Sequence, residues 1–230
     1  MPFRVRETNV LAGVKPGDEV SFRLLVTADE SWIDRVVGTG RTSAAVTNIV
    51  VAGPTNAPGG FYLSDIPEFA LTNEFGQPFS LRSFRGRAMV MTFFFTRCPL
   101  PEYCPRLTKN FYGAIEKLKA MPHGPTNFHF VSISFDPIDT PVLLRSYGHH
   151  YHYDSNHWTF VTGDNAQIKE LARGFGVGAT PQAGVFNHGF STAIFDATGK
   201  LQNMWPIGGD MTDQIVTEIV KGAQARPDAP

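Results

Sequence analysis

At 230 residues, 42% of them hydrophobic, the chain can bury a sizeable core in one large domain or in a main domain with a small companion. Its 20 basic and 21 acidic residues give a net charge of −1 with no long run of either sign, which argues against nucleic acid or an anionic membrane surface as a partner. No run of about 18 apolar residues is available for a membrane span, and the start MPFRVRETNV lacks the apolar core of a signal peptide. The chain is therefore expected to be either cytosolic or a trimmed, mature portion of a longer one.

In chain order, the first pattern is GDEVSFRLLVTADESWIDRVV, where Val20, Phe22, Leu24 and Val26 alternate as on one face of a half-buried strand. Residues 1 to about 40 read as β hairpins. The stretch from about 41 to 60 ends rich in Gly, Pro and Asn and has no sustained period, so a connector and a domain boundary are expected there. The expected division is a partial β segment over 1–45, a linker over 46–60 and a main domain over 61–230. In that domain RAMVMTFFF, residues 87–95, is a continuous apolar run of the kind a buried central strand shows. Leu107, Phe111, Ile115 and Leu118 then form one apolar stripe at helical spacing, with Lys109, Glu116 and Lys117 off it. FHFVSISF, residues 128–135, reads as a second buried strand. TPVLLRSYGHHYH reads as a helix with Pro141 in its first turn, and AQIKELARGF as another. STAIFDATGKLQNMWP reads as a hairpin turning at Thr198 and Gly199, before a last helix carrying Met211, Ile215 and Ile219. This order is that of an α/β, thioredoxin-like sandwich with its sheet covered on both faces and a small N-terminal β segment.

The only two cysteines, Cys98 and Cys104, lie in MTFFFTRCPLPEYCPRLTKNF, between the first core strand and the helix after it. In open α/β sheets such strand-to-helix loops form the ligand crevice, and a helix N-terminus stabilises a thiolate through its free N–H groups and dipole. Both effects lower a thiol's pKa. Two buried structural thiols are the bland alternative, against which prolines 99, 101 and 105 are expected to hold the segment in a loop rather than in a core. A thiolate pair can exchange disulfides or bind a soft metal. Zinc would want about four protein ligands, whereas Cu(I) accepts two or three soft ones, so two thiolates and an imidazole would suffice.

Of the seven histidines, His149, His150, His152 and His157 cluster in GHHYHYDSNHW, a stretch that reads more simply as a solvated helix end. His123 and His129, beside a turn and in a core strand, are assigned no role. His188, in GVFNHGFSTAIFD, precedes the strand expected from Ser191 and beside the cysteine-bearing strand. From spacing, a ligand and an ordinary loop histidine remain open there. Trp32 and Trp158 read as packing residues.

At residues 65–220 the chain resembles the Sco (SenC) proteins, copper-delivering relatives of thioredoxin. Four motifs carry the resemblance: IPEFALTNEFGQPFSLRSFRGR, TFFFTRCPLPEYCP, VSISFDPIDTP and NHGFSTAIFDATGKL. It implies that Cys98, Cys104 and His188 bind copper, as Cu(I) and in a second state as Cu(II). It further implies an acceptor in the copper site of a respiratory haem-copper oxidase, a thioredoxin-like reductant for the pair and an extracytoplasmic, periplasmic location. Asp136 and Asp139 of DPIDTP also match, with capping of the helix that opens at Thr140 as the competing role. The family pattern has three residues between the cysteines and this chain has five. The cis-proline that faces the cysteines in thioredoxins is matched here by Ser191, which leaves room for a metal.

The N-terminal segment is similar to the later strands of small CusF-like copper-carrying β-barrels. That resemblance implies a truncated barrel, with the chain beginning partway through a domain, a second copper site and an export signal expected in the missing upstream segment, and any membrane anchor outside this chain. Besides copper carriage, three readings stay open: a thiol-disulfide oxidoreductase that keeps a copper acceptor reduced, a thiol peroxidase suggested by the likeness of FTRCP to a peroxiredoxin nucleophile segment, and an adaptor without chemistry.

Overall fold

The computed structural model describes residues 3–42, 60–182, 185–189, 191–206 and 209–226, with the side chains of 179–188 outside the description. The expected connector and linker therefore fall mostly outside the described residues. The main body is a seven-stranded sheet in the order β11 (Leu201–Trp205), β10 (Thr192–Phe195), β5 (Ala88–Phe94), β6 (Phe128–Ser134), β7 (Trp158–Gly163), β3 (Leu71–Asn73), β4 (Pro78–Phe79). Its centre is β5 (Ala88–Phe94) and β6 (Phe128–Ser134), paired in parallel from Ala88 opposite Phe128 to Phe94 opposite Ser134. All seven residues of each strand are buried, so both faces of these strands are covered and the run lacks alternation.

Helix α1 (Cys104–Ala120) connects them, and its predicted stripe Leu107, Phe111, Ile115 and Leu118 is at most 2% exposed. At about 2 kcal/mol for each large apolar side chain, that stripe contributes on the order of 8 kcal/mol, an upper figure because unfolded chains already bury some surface. Helix α2 (Pro141–His150) leads to β7 (Trp158–Gly163), parallel to β6. Sequence patterning did not mark β7 as a strand, because its flanks are polar and its apolar content is only Trp158, Phe160 and Val161. Trp158 is fully buried and donates its indole N–H to Ser132 at 3.0 Å, which satisfies its one polar atom and bears out its packing role.

Strands β3 (Leu71–Asn73) and β4 (Pro78–Phe79) extend the sheet beyond β7. After α3 (Asn165–Gly174), a two-stranded ribbon of β8 (Ala179–Gln182) and β9 (Val185–His188) precedes β10 (Thr192–Phe195). Strand β10 is antiparallel to β5 and forms the predicted hairpin with β11 (Leu201–Trp205). Asp196 Oδ1 accepts from the amides of Thr198 at 2.9 Å and Lys200 at 3.1 Å, and Gly199 sits at φ +86°, where a side chain would be strained. Helix α4 (Thr212–Ala223) packs on β5, β10 and β11 through Ile215 and Ile219. No described helix is long and apolar enough to cross a membrane.

The N-terminal part is one hairpin of β1 (Asp18–Val26) and β2 (Ser31–Thr42), preceded by a short 3-10 helix over Thr8–Leu11. The expected alternation holds for Val20, Phe22 and Leu24, all half-buried, and fails at Val26, which is 45% exposed. The two register shifts lie between Asp18 and Arg23, and pairing is regular from Arg23 to Val26, which forms the last pair before the turn, opposite Ser31. Trp32 is half-buried, with the Arg6 guanidinium 3.5 Å from its ring centroid.

Candidate metal centre

Parallel strands in register end together, so the loops after β5 and β6 leave the sheet side by side at one pole. Thr96 and Arg97 follow β5 there, and Asp136 and Asp139 follow β6. Asp139 accepts from the Thr96 amide at 2.9 Å, the Thr96 hydroxyl at 2.5 Å and the Ser134 hydroxyl at 2.6 Å. Asp136, 1% exposed, takes the Arg97 Nε–H at 2.6 Å. The capping role weighed for these aspartates is corrected: Thr140 caps α2, its hydroxyl accepting from the Leu143 amide. The two carboxylates instead hold the start of the cysteine loop, because their side chains turn back across the strand ends. Opposite charges at Arg97 and in DPIDTP were the available sequence signal for this buckle. Spacing could not show that they meet.

Both cysteines are free thiols, Cys98 9% exposed and Cys104 fully buried in the first turn of α1. The expectation that the prolines keep this segment out of the core is corrected. The backbone is a loop, but Leu100 at 2% exposure anchors it, and both sulfurs lie within the hydrophobic core. The thiols are hydrogen-bonded to one another. Cys98 Sγ also lies 3.8 Å from the Leu100 carbonyl oxygen.

The hydrogen bond with Cys104 holds the Cys98 thiol below its ordinary value, outweighing its burial and the nearby Glu102 carboxylate. Burial, and then the hydrogen bond with Cys98, push Cys104 the other way. The expectation that both thiols are acidified is thus corrected: Cys98 is lowered and Cys104 raised, the hydrogen bond between them acting in opposite directions on the two. Sequence reasoning missed the phenols nearby. Tyr147, held by burial well above the ordinary tyrosine range, meets the Thr108 hydroxyl at 2.8 Å, and Thr108 donates to the Cys104 carbonyl at 2.9 Å.

His188 closes β9, its backbone paired with Ala179, three residues before Ser191. Thr92 near the end of β5 donates to the Ser191 carbonyl at 3.0 Å, so this chain segment reaches the pole where the cysteine loop starts. The His188 side chain lies outside the described residues. Among the described residues no group of three or more His, Cys, Asp or Glu side chains is arranged around a metal position. The histidine-rich stretch does not converge: His149 and His150 end α2 and are exposed, and His152 lies beyond the helix at φ +55°. No cis peptide occurs among the described residues, and Ser191 stands before β10 as expected. Two soft sulfur donors in mutual contact, in a dry site, fit a soft monovalent ion.

Comparison with known proteins agrees with this architecture. The SCO1/SenC family model matches residues 64–224. The chain is 30% identical over 110 residues to the SCO1 protein homolog of Bacillus subtilis, covering 47% of this chain and 54% of that protein, so the match spans about half of the relative's length. It is 29% identical over 163 residues to a Stutzerimonas stutzeri protein named for copper binding, covering 67% of this chain and 76% of that one. Among solved structures, BsSco, described as a member of the Sco family of cytochrome c oxidase assembly proteins with a disulfide switch, has a TM-score of 0.61 at 24% identity. That likeness covers 74% of this chain and 98% of BsSco and concerns the fold. With most of its length matched by the family model and its paired thiols at the sheet pole, this chain belongs to the SCO1/SenC family.

Proposed function

We propose that the protein carries Cu(I) on the Cys98 and Cys104 thiolates with His188 as third ligand, and passes it to the copper site of a respiratory oxidase on the extracytoplasmic side of a membrane. The observation that carries this reading is the hydrogen-bonded pair of buried thiols at the first turn of α1, in a chain of this family. Copper is cargo here. Loading displaces both thiol protons, and α1's N-terminal amides and the dry surroundings stabilise the resulting negative charge. A three-coordinate site leaves one edge from which an acceptor's ligands can invade, so transfer needs no free ion.

The test is an anaerobic Cu(I) titration of the reduced protein against a chromogenic chelator, beside Cys98→Ser and His188→Ala. One equivalent held tightly by the parent, lost in Cys98→Ser and weakened in His188→Ala, is the expected result. Unchanged affinity in the cysteine variant refutes the site.

The opposed displacement of the two thiols favours one second reading, a thiol-disulfide oxidoreductase maintained by a thioredoxin-like reductant. The Cys98 thiolate would attack a partner disulfide and release one partner thiolate. Cys104, losing its proton, would then attack the Cys98 sulfur, release the second partner sulfur and leave a Cys98–Cys104 disulfide. No copper retained by the parent, together with a mixed disulfide trapped on Cys98 in Cys104→Ser, would select this reading.

A further inference from the structure

Glu102 is the one charged residue between the two cysteines, and its carboxylate is bonded to the N-terminal hairpin. Both of its carboxylate oxygens are engaged by a single residue 71 positions away: the Ser31 amide donates to Oε1, and the Ser31 hydroxyl donates to Oε2 at 2.7 Å. Ser31 opens β2 and is 5% exposed, and Ile33 beside it is 8% exposed, so this end of an otherwise open hairpin is sealed against the main body. Phe3, its ring 5.0 Å from that of Phe22, packs with Leu24 against the main core, and the Ile33 amide donates to the Arg4 carbonyl at 2.9 Å. The Arg4 guanidinium attracts the Glu102 carboxylate electrostatically.

The cysteine loop is thus pinned from two sides: Asp136 and Asp139 hold Thr96 and Arg97 at its start, and Ser31 holds Glu102 near its end. The first restraint comes from the sheet itself and the second from a separate two-stranded element. Carboxylate bonds to two donors of one residue are directional and charge-assisted, and they fix orientation as well as distance.

We propose that the N-terminal hairpin is a positioning element for the thiol pair, and that Ser31 and Glu102 are the residues through which it acts. The link holds residues 99–103 down over Cys98 and Cys104. Any reactant larger than a metal ion must wait for the loop to lift. This restraint on the loop acts whatever the thiols carry. If the site carries copper, the consequence, which rests on that reading, is that a partner gains access to the metal by displacing the hairpin from Glu102.

The test measures the rate at which the fully reduced, copper-free full chain reacts with the chromogenic aromatic disulfide dithiobis(nitrobenzoate). The proteins compared are the parent, Ser31→Ala, Ser31→Thr, Glu102→Gln and the Ser31→Ala/Glu102→Gln double variant. Ser31→Ala keeps the Glu102 charge beside Cys98, so its rate reads the loop rather than the local field. Loss of one charge-assisted bond should raise the rate about tenfold in Ser31→Ala and in Glu102→Gln. The double variant should be no faster than the faster single one, because both break the same link. Ser31→Thr, which keeps both donors, should react at the parental rate. Near-ultraviolet circular dichroism should be parental throughout. Parental rates in Ser31→Ala and Glu102→Gln, multiplying effects in the double variant, or acceleration only where the dichroism signal is lost would each overturn the proposal. No copper enters the assay, so its failure is separate from any failure of the copper reading.

Discussion

Two stretches of this chain are rich in potential metal ligands, and they behave oppositely. GHHYHYDSNHW carries four histidines within nine positions, and each ring lies beside a different aromatic neighbour. His149 lies against Tyr153 at 5.4 Å, His150 against Tyr151 at 5.0 Å, His152 against Tyr112 at 6.4 Å, and His157 stacks on Phe128 at 4.4 Å. The cysteine segment holds two donors with five residues between them, and their side chains meet in a dry site. A site therefore depends on where strand ends and helix starts bring donors together, and not on how many donors a stretch contains. Local chain geometry disperses the histidines around a helix end, whereas the sheet pole collects the thiols.

The sharpest way to break this comparison is Cys104→Ser, expected to lower Cu(I) affinity by more than about 100-fold, beyond the roughly 10- to 100-fold typical of losing an outer partner. Competition with a chelator measures it, and affinity within a few-fold of the parent would place the cargo elsewhere. Next in size is Asp139→Ala, which strands the Thr96 amide and two hydroxyl donors. It should cost about 3 kcal/mol in denaturant unfolding and about tenfold in Cu(I) affinity. An unaltered affinity would mean that the cysteine loop keeps its place without the buckle.

A third test concerns a histidine that is buried rather than clustered. His129, 4% exposed and stacked on Phe84 at 4.6 Å, bonds Thr159 through Nε2 at 2.8 Å while Nδ1 has no partner. Burial lowers its pKa from 6.5 to about 4. The folded value lies below the unfolded one, so the unfolded chain binds the proton first as pH falls. This contribution to stability is complete above about pH 6.5 and is lost as pH drops towards 4. Between pH 7 and 5 it removes about 2 kcal/mol. Urea unfolding at the two pH values should show the loss in the parent and not in His129→Gln; equal losses in both would assign it to other groups. The smallest expected effect is that of His149→Ala/His150→Ala, which should leave Cu(I) affinity unchanged and stability within about 0.5 kcal/mol. A drop in affinity there would reverse the comparison.

The strands and helices that were legible in the sequence are those whose burial is complete or strictly periodic. RAMVMTFFF and FHFVSISF lack polar residues on either face except where a partner waits, and α1 shows its stripe because one side meets the sheet. β7 and the ribbon of β8 and β9 were not legible, since short strands with polar flanks are specified by their neighbours' edges. The hairpin's Val26 departs from its apparent face where it forms the last pair before the turn, opposite Ser31. For the candidate site, position singled out Cys98 and Cys104, because a loop between a core strand and a helix lies at the ligand crevice of this class of sheet. Linear order is enough to place such a loop.

What linear order could not supply is convergence. The Asp139–Thr96 and Asp136–Arg97 contacts span 43 and 39 positions, and Glu102 reaches Ser31 across 71. The opposed shifts of the two thiols likewise depend on the hydrogen bond between them and on burial. Residue identity and spacing set which groups are available and which elements carry them. The in-register pairing of β5 with β6 and the docking of the hairpin set which groups touch, because those contacts arise from packing between elements that are distant in the chain.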